Sequence, residues 1–176
     1  GLLLNILPAA VAEELKLKGN AEAKHFDQAT ILFSDFKGFT TISEHLTPSD
    51  LVGELNACFK AFDEIITRHG IEKIKTIGDS YMAAGSIPDT NKATALEVIM
   101  AGIEMQQFVA TRKTERDAQG LPAFDMRVGI HSGPVVAGIV GVKKFQYDIW
   151  GDTVNIASRM ESSGEVNKVN ISGSTY

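Results

Sequence analysis

Cysteine is almost absent from this chain: Cys58 stands alone, so no internal disulfide can form, and the scarcity fits a reducing compartment. Positive charge is in deficit, with 17 Lys and Arg against 22 Asp and Glu and a net charge of -5, which argues against a broad nucleic-acid-binding surface. No apolar run approaches the ~20 residues that a bilayer-crossing helix needs. Leu2 to Leu7 is greasy but short and has no basic segment before it, a poor match to a signal peptide. The Gly-x4-Gly-Lys-Ser/Thr spacing of a Walker loop is missing, and so are internal repeats and any low-complexity linker. His131 has no second ligand at metal spacing and reads as a structural histidine. What remains is ordinary globular material: 176 residues, 44% hydrophobic and 22% charged, enough for one domain with a sizeable core. Opening on Gly1 rather than Met, it reads as part of something longer.

The most informative stretch is Glu72-Lys-Ile-Lys-Thr-Ile-Gly-Asp79 followed by Ser80-Tyr-Met-Ala-Ala-Gly85. Two short apolar-rich segments around Gly78-Asp79 predict a β-hairpin, with Lys75 on one arm and Asp79 at the bend. Strict alternation puts Ile71, Lys73, Lys75 and Ile77 on one face and Glu72, Ile74 and Thr76 on the other. Taken alone, the same residues also fit a solvated lysine and an aspartate that only shapes a turn.

Along the chain, Leu2 to Leu17 reads as helical, with Pro8 opening its second part and Gly19-Asn20 closing it. Its apolar residues either pack on the domain's own core or pair with a second copy. Thr30 to Ser34 is a buried strand with Asp35 at its end, and Phe36-Lys-Gly-Phe-Thr40 is a glycine-containing bend whose amides can hold phosphate oxygens. Thr47 caps a helix carrying Leu51, Leu55, Phe59, Phe62 and Ile66 at helical spacing until Gly70. Asn91 is expected to cap a further helix to about Gln119, burying Ala95, Leu96, Ile99 and Ile103. Met126 to His131 and Val135 to Val140 read as two strands joined through Ser132-Gly133-Pro134, Gln146 to Trp150 as another, and Lys168 to Ser172 as the last. Between these last two, Thr153 to Ser162 is a helix with Asp152, Asn155 and Arg159 on one face, either plain surface or a pair aimed at an anion. This order predicts an α+β ferredoxin-like sandwich: a mostly antiparallel sheet with two helices on one face.

In such a core Asp35 and Asp79 come to one end of the sheet, where two hard oxygen ligands beside phosphate-holding amides suit Mg²⁺ carried by a nucleotide triphosphate. Phe33-Ser-Asp-Phe-Lys-Gly-Phe-Thr40, Glu72 to Asp79 and Gln146-Tyr-Asp-Ile-Trp-Gly-Asp-Thr-Val-Asn-Ile-Ala-Ser-Arg-Met160 together resemble the class III nucleotidyl cyclases, in the right order and over nearly the whole chain. The likeness is greatest to adenylyl cyclases, and the Gly-Gly-Asp/Glu-Glu-Phe turn of diguanylate cyclases is missing. The resemblance implies an adenylyl cyclase that converts ATP to cyclic AMP and pyrophosphate. A guanylyl cyclase or a silent dimerisation module are the alternatives.

By matched position, the resemblance assigns the metal site to Asp35, Asp79 and the Phe36 carbonyl, which would hold two Mg²⁺ or Mn²⁺ ions. One ion would activate the ribose 3′-hydroxyl, and the other would stabilise the leaving pyrophosphate. Phe36, Gly38, Phe39 and Thr40 would cradle the phosphates, while Lys75 and Asp148 would read the base. Guanylyl cyclases put an acid at the first of those two positions and a small polar residue at the second. Asn155 would orient the ribose, and Arg159 would stabilise charge at the α-phosphate. In that family the metal aspartates come from one subunit and the base-reading and Asn/Arg residues from the other, so a homodimer would have two composite sites. Residues 1–20 are expected to form a leading helix and linker from an upstream regulatory or sensor region. Residues 21–176 would form the catalytic domain, short at its C-terminus of further strands with a triphosphate-contacting lysine. A cytoplasmic location is expected, with a membrane-anchored parent protein left open.

Overall fold

A computed structural model describes residues 7–141 and 144–176. The elements are α1 (Ala9–Lys18), β1 (Lys24–Lys37), α2 (Phe39–Ser43), α3 (Pro48–Arg68), β2 (Glu72–Ile77), β3 (Ser80–Gly85), α4 (Ala95–Ala118), β4 (Asp125–Val140), β5 (Gln146–Trp150), α5 (Asp152–Ser162) and β6 (Val169–Ile171). The sheet runs β2-β3-β1-β4-β5, antiparallel throughout, and β6 adds to β4 in parallel. This is the α+β sandwich expected from the sequence, with helices on both faces instead of one.

Strand parity decides which helix covers which face. Leu32, Phe36, Tyr81, Val128 and Ile130 share a core with Phe62, Ile65 and Ile66 of α3 and Val98, Ala101 and Met105 of α4. Ile31, Met82, Val135 and Ile149, on the other face, pack with Val11 and Ala12 of α1 and Ala157 of α5. The described part of the leading helix therefore packs on the domain's own core, with Leu17 left exposed. Its expected beginning, Leu2 to Ile6, lies outside the described residues.

Several local expectations hold. Thr47 Oγ1 accepts from Asp50 N at 3.1 Å, the N-cap of α3. Gly78 has a φ of 58° at the first of two turn residues, the pattern of a type II′ hairpin. His131 Nδ1 shares a 2.6 Å hydrogen bond with Ser172 Oγ, as befits a structural histidine.

Others are corrected. Thr94, not Asn91, precedes α4, and Asn91 instead donates its N–H to Asp89 Oδ1 at 2.9 Å within a loop turn. That helix turns its small side inward: Gly102 lies against Val128, Ile130 and Leu32, a closeness that leaves Leu96 and Ile103 exposed. The two strands expected around Ser132-Gly133-Pro134 are the single strand β4, because β1 pairs along nearly its whole length. Asp35 is not at the end of β1, which continues to Lys37.

Two ion clusters hold the helices together. Glu54 of α3, nearly fully buried, accepts from Arg112 Nε at 2.7 Å and Arg116 Nη1 at 3.0 Å on α4. At the other end of α3, His69 lies between Glu97 (Nδ1 to Oε2, 2.5 Å) and Glu104 (Nε2 to Oε2, 3.2 Å), with Arg68 also 3.4 Å from Glu104. The bond to Glu97 raises the His69 pKa above its ordinary value, against the opposing effect of burial. A raised folded pKa means that the stabilisation is complete below the unfolded value of about 6.5 and is lost as pH rises through the folded one. The thermal midpoint of the wild type should therefore fall more between about pH 6 and pH 8.5 than that of His69→Gln, in which no ring titrates. Equal declines in the two proteins would remove His69 from the pH dependence.

Candidate active site

Three strand endings converge at one end of the sheet. The β1–β3 pairing reaches Ser34 opposite Tyr81, and β1 then continues past the hairpin for three more residues. The Phe36 N–H left without a strand partner on that side donates to Asp79 Oδ2 at 3.1 Å. The turn carboxylate thus replaces the missing strand, which sets Asp79 beside Asp35. On the other side Asp35 stands opposite Arg127 of β4, whose fork donates Nε to Oδ1 and Nη2 to Oδ2, each at 3.3 Å. The same guanidinium donates Nη1 to Ser162 O at the end of α5, at 3.2 Å. The pair with Asp35 raises the Arg127 pKa.

Glu161 closes the cluster from above. It is 5% exposed, and α5 lies so close to β4 there that a Cβ on Gly129 would come within 2.0 Å of Glu161 N. Only glycine permits this approach. Burial pushes the Glu161 carboxyl up to about 8, and the neighbouring Asp35 adds to the shift.

Neither Arg127 nor Glu161 figures in the sequence reading. A signal existed for the second: Thr153, Ala157 and Glu161 are spaced four apart and form the buried stripe of α5, so a carboxylate falls on an inward face. Arg127 is visible only once the register of β1 and β4 is known.

The base-reading candidates meet elsewhere. A β-bulge between Lys73 and Lys75 sets Lys75 opposite Met82, breaking the alternation expected for β2. The two lysines part company. Lys73 reaches Asp63 of α3 at 3.0 Å, over the Tyr81 ring, while Lys75 Nζ donates to Asp148 Oδ2 of β5 at 2.8 Å. β2 and β5 are the two outer strands of the five-strand path, so the sheet curls until its edges touch through this pair. Asp148 Oδ1 accepts from Ile149 N at 2.8 Å, which fixes the carboxylate plane.

Asn155 and Arg159 are exposed on α5, and among the described residues neither side chain has a hydrogen-bond or ion-pair partner. Gly38 stands at the N-terminus of α2, so the amides of Phe39 and Thr40 lack helical acceptors. The structure thus gathers Asp35, Phe36 and Asp79 in one cluster and Lys75 with Asp148 in another.

The residues fit a magnesium-type ion. Asp35 and Asp79 are hard oxygen donors on adjoining elements, and in an extended strand the Phe36 carbonyl points the same way as its N–H, toward Asp79. Among the described residues no three His, Cys, Asp or Glu side chains are grouped to hold a metal by themselves. Mg²⁺ takes one or two carboxylates and completes its shell with water and substrate phosphates.

The sequence model of the adenylate and guanylate cyclase catalytic domain matches residues 21–176. The chain is 43% identical over 171 residues to human guanylyl cyclase C, covering 97% of this chain and 16% of that protein. It is 42% identical over 176 residues to an adenylate cyclase of Mycobacterium tuberculosis, covering 99% of this chain and 39% of that one. The crystal structure of the adenylyl cyclase CyaB from P. aeruginosa superposes with a TM-score of 0.82 at 32% identity, covering 88% of this chain and 81% of the other. This chain belongs to the class III nucleotidyl cyclase family and has the fold of its catalytic domain. It spans well under half the length of these two curated relatives. Among the described residues no helix is long and apolar enough to cross a membrane.

Proposed function

We propose that the domain is an adenylyl cyclase that makes 3′,5′-cyclic AMP and pyrophosphate from ATP. Overall identity is almost the same to a guanylyl and an adenylyl enzyme, so the reading rests on one local observation, the Lys75–Asp148 pair. Adenine offers an acceptor at N1 and a donor amine at N6, which a lysine and a carboxylate match. Guanine reverses the pattern at N1, where it donates, and Lys75 has no acceptor to offer it. With Asp148 held by Ile149 N and Lys75, the two groups are held side by side for a base edge.

In the reaction the ribose 3′-oxygen attacks the α-phosphorus, its proton is lost, and the bond to the β-phosphate oxygen breaks to release pyrophosphate. Divalent ions, two Mg²⁺ or Mn²⁺, would supply Lewis acidity at the attacking and leaving oxygens. Asp35, Asp79 and the Phe36 carbonyl would hold them, and the amides of Gly38, Phe39 and Thr40 would receive phosphate oxygens. Asn155 orients the ribose, and Arg159 meets charge developing at the α-phosphate.

The Asn155 and Arg159 side chains are exposed while Asp35 and Asp79 are tied into their own cluster, which supports a homodimer in which α5 of one protomer completes the site of the other. Residues 1–20 would join this domain to an upstream regulatory region.

The test is product identity and its conversion. Purified protein given ATP or GTP with Mn²⁺ should make cyclic AMP in preference. Lys75→Glu with Asp148→Cys should move the preference toward GTP, since the acid accepts from guanine N1 and N2. Hydrogen-bonding sites reject mismatches by up to ~10⁴-fold, and this pair should give less because the Lys75 side chain is still 29% exposed. An unmoved ATP-to-GTP ratio would show that these residues do not read the base.

A further inference from the structure

One half-buried carboxylate takes no part in the site described above. Glu72 opens β2 opposite Ala84, a member of the core that α1 covers, and among the described residues its side chain has no hydrogen-bond or ion-pair partner. It lines a cavity of about 650 Å³ beside the outer strand of the sheet. Pro8, Ala9 and Ala10, where α1 begins, form one side of that cavity, and Ile66 of α3 and the buried Ile87 lie among its other walls. A carboxylate that is covered without a partner is costly, and water is its cheapest remedy.

We propose that Glu72 latches the first turn of α1: its neutral carboxyl lies under the closed turn, and its ionised form opens the turn to reach water. The inference stands apart from the reading of the nucleotide site, and it makes the entry to this domain responsive to pH.

The two ends of α1 are held unequally. At the far end Gly19 N donates to Leu15 O at 2.9 Å, while Glu14 accepts from Glu22 N at 3.3 Å and lies 3.7 Å from Lys24. At the start there is no side-chain cap and no acidic residue in the first turn, and the grip is apolar, through Leu7, Val11 and Ala12. The wall after β3 is clamped, with Ser86 N donating to Lys92 O at 2.8 Å and Ser86 Oγ to Ala93 O at 3.2 Å. The first turn of α1 is therefore the side of the cavity that moves at least cost.

No other charge around the cavity neutralises Glu72. Asp63 of α3 and Lys73 of β2 pair with each other at 3.0 Å, Asp89 and Lys92 are exposed, and α1 presents no charged residue there. Burial, and then the charge of Glu72, raise the Tyr147 phenol of β5 to about 12, so it stays protonated across the neutral range. Burial raises Glu72 itself from 4.5 to about 7. A carboxyl raised in the closed state supports closure fully below about pH 4.5 and loses that support as pH rises through about 7.

The experiment is amide hydrogen exchange by NMR from pH 5 to 8.5, without nucleotide or metal, each rate corrected for the intrinsic exchange chemistry at that pH. The Ala12 amide donates to Pro8 O at 2.9 Å across the first turn, and the Gly19 amide reports on the last. In the wild type, Ala12 protection should fall by about tenfold to seventyfold over this range, the upper figure being full linkage to the Glu72 shift, with Gly19 nearly unchanged. In Glu72→Gln, Ala12 should keep its acid-side protection throughout. Protection of Ala12 that holds or rises with pH overturns the proposal; a rise would mean that the ionised carboxylate caps the free amides at the start of α1. An equal fall at Gly19, or an equal fall in Glu72→Gln, overturns it as well. If Glu72→Gln lacks a cooperative thermal transition, the wild-type contrast between Ala12 and Gly19 decides, together with titration of the ¹³C-labelled Glu72 carboxyl. A carboxyl that titrates near its ordinary value removes the latch.

Discussion

Asp79→Asn is expected to lose nearly all cyclase turnover while melting close to the wild type. The asparagine side chain is the same size and its amide oxygen can still accept from Phe36 N, so the contact that ties the hairpin to β1 survives. What goes is the negative charge needed beside Asp35. Losing one group that stabilises transition-state charge typically costs about 10²–10³ in rate, and a metal ligand belongs at or beyond the upper end of that range. Asp79→Ala should be as inactive but less stable, because it also leaves the Phe36 N–H without its acceptor. Cyclic AMP formation with Mn²⁺, together with thermal melting, separates the two effects. Near-normal turnover in Asp79→Asn would sink the metal assignment, whatever Asp79→Ala does.

Mixing two dead proteins should restore activity. Arg159→Ala should cost about 10²–10³ in rate, as for other groups that meet developing charge. Its side chain is exposed and unpartnered among the described residues, so stability should hardly change. If Asp79 and Arg159 of one polypeptide serve different sites, a heterodimer of Asp79→Ala and Arg159→Ala collects both defects in one site. Its other site keeps intact aspartates and an intact arginine. With random exchange in equal amounts about half the dimers are mixed, each with one good site, giving about a quarter of wild-type activity. Subunit exchange is confirmed separately, for example by energy transfer between labelled protomers. With exchange confirmed, no recovery at any ratio would mean that sites lie within single chains.

The sequence carried the elements better than their faces. Composition, the Thr47 cap and the Gly78-Asp79 turn are local signals, and each appears where the residues place it. Face assignments need partners. Counting by twos along β2 puts Lys73 and Lys75 together, yet a bulge is a property of two strands in register and leaves no mark on one strand read alone. The same limit applies to α4, where apolar spacing favoured Leu96 and Ile103 but close packing favours the small Ala101 and Gly102. Ser132-Gly133-Pro134 looked like a break because such residues often end strands. In β4 it is carried through: Ser132 Oγ is 2.9 Å from Thr30 Oγ1 across the ladder, and Gly133 makes room for Thr153 of α5. The cyclase motifs named Asp35, Asp79, Lys75 and Asp148, and the structure draws these into two clusters. Arg127 and Glu161 join the first only through long-range packing.

The contact between Lys75 and Asp148 closes a loop of five strands, and closure has a mechanical side. The gap into which a base would slide is not set by those two side chains alone. It is the remainder left after the twists of four successive strand pairings are added, from β2 through β3, β1 and β4 to β5. A small error at any of the four joints arrives at the gap undiminished, as in an assembly of machined parts where the last clearance inherits every tolerance before it. Residues given no contact with a nucleotide, such as Ala83 against Leu32 or Ala137 against Ile149, thereby help fix the width of the opening.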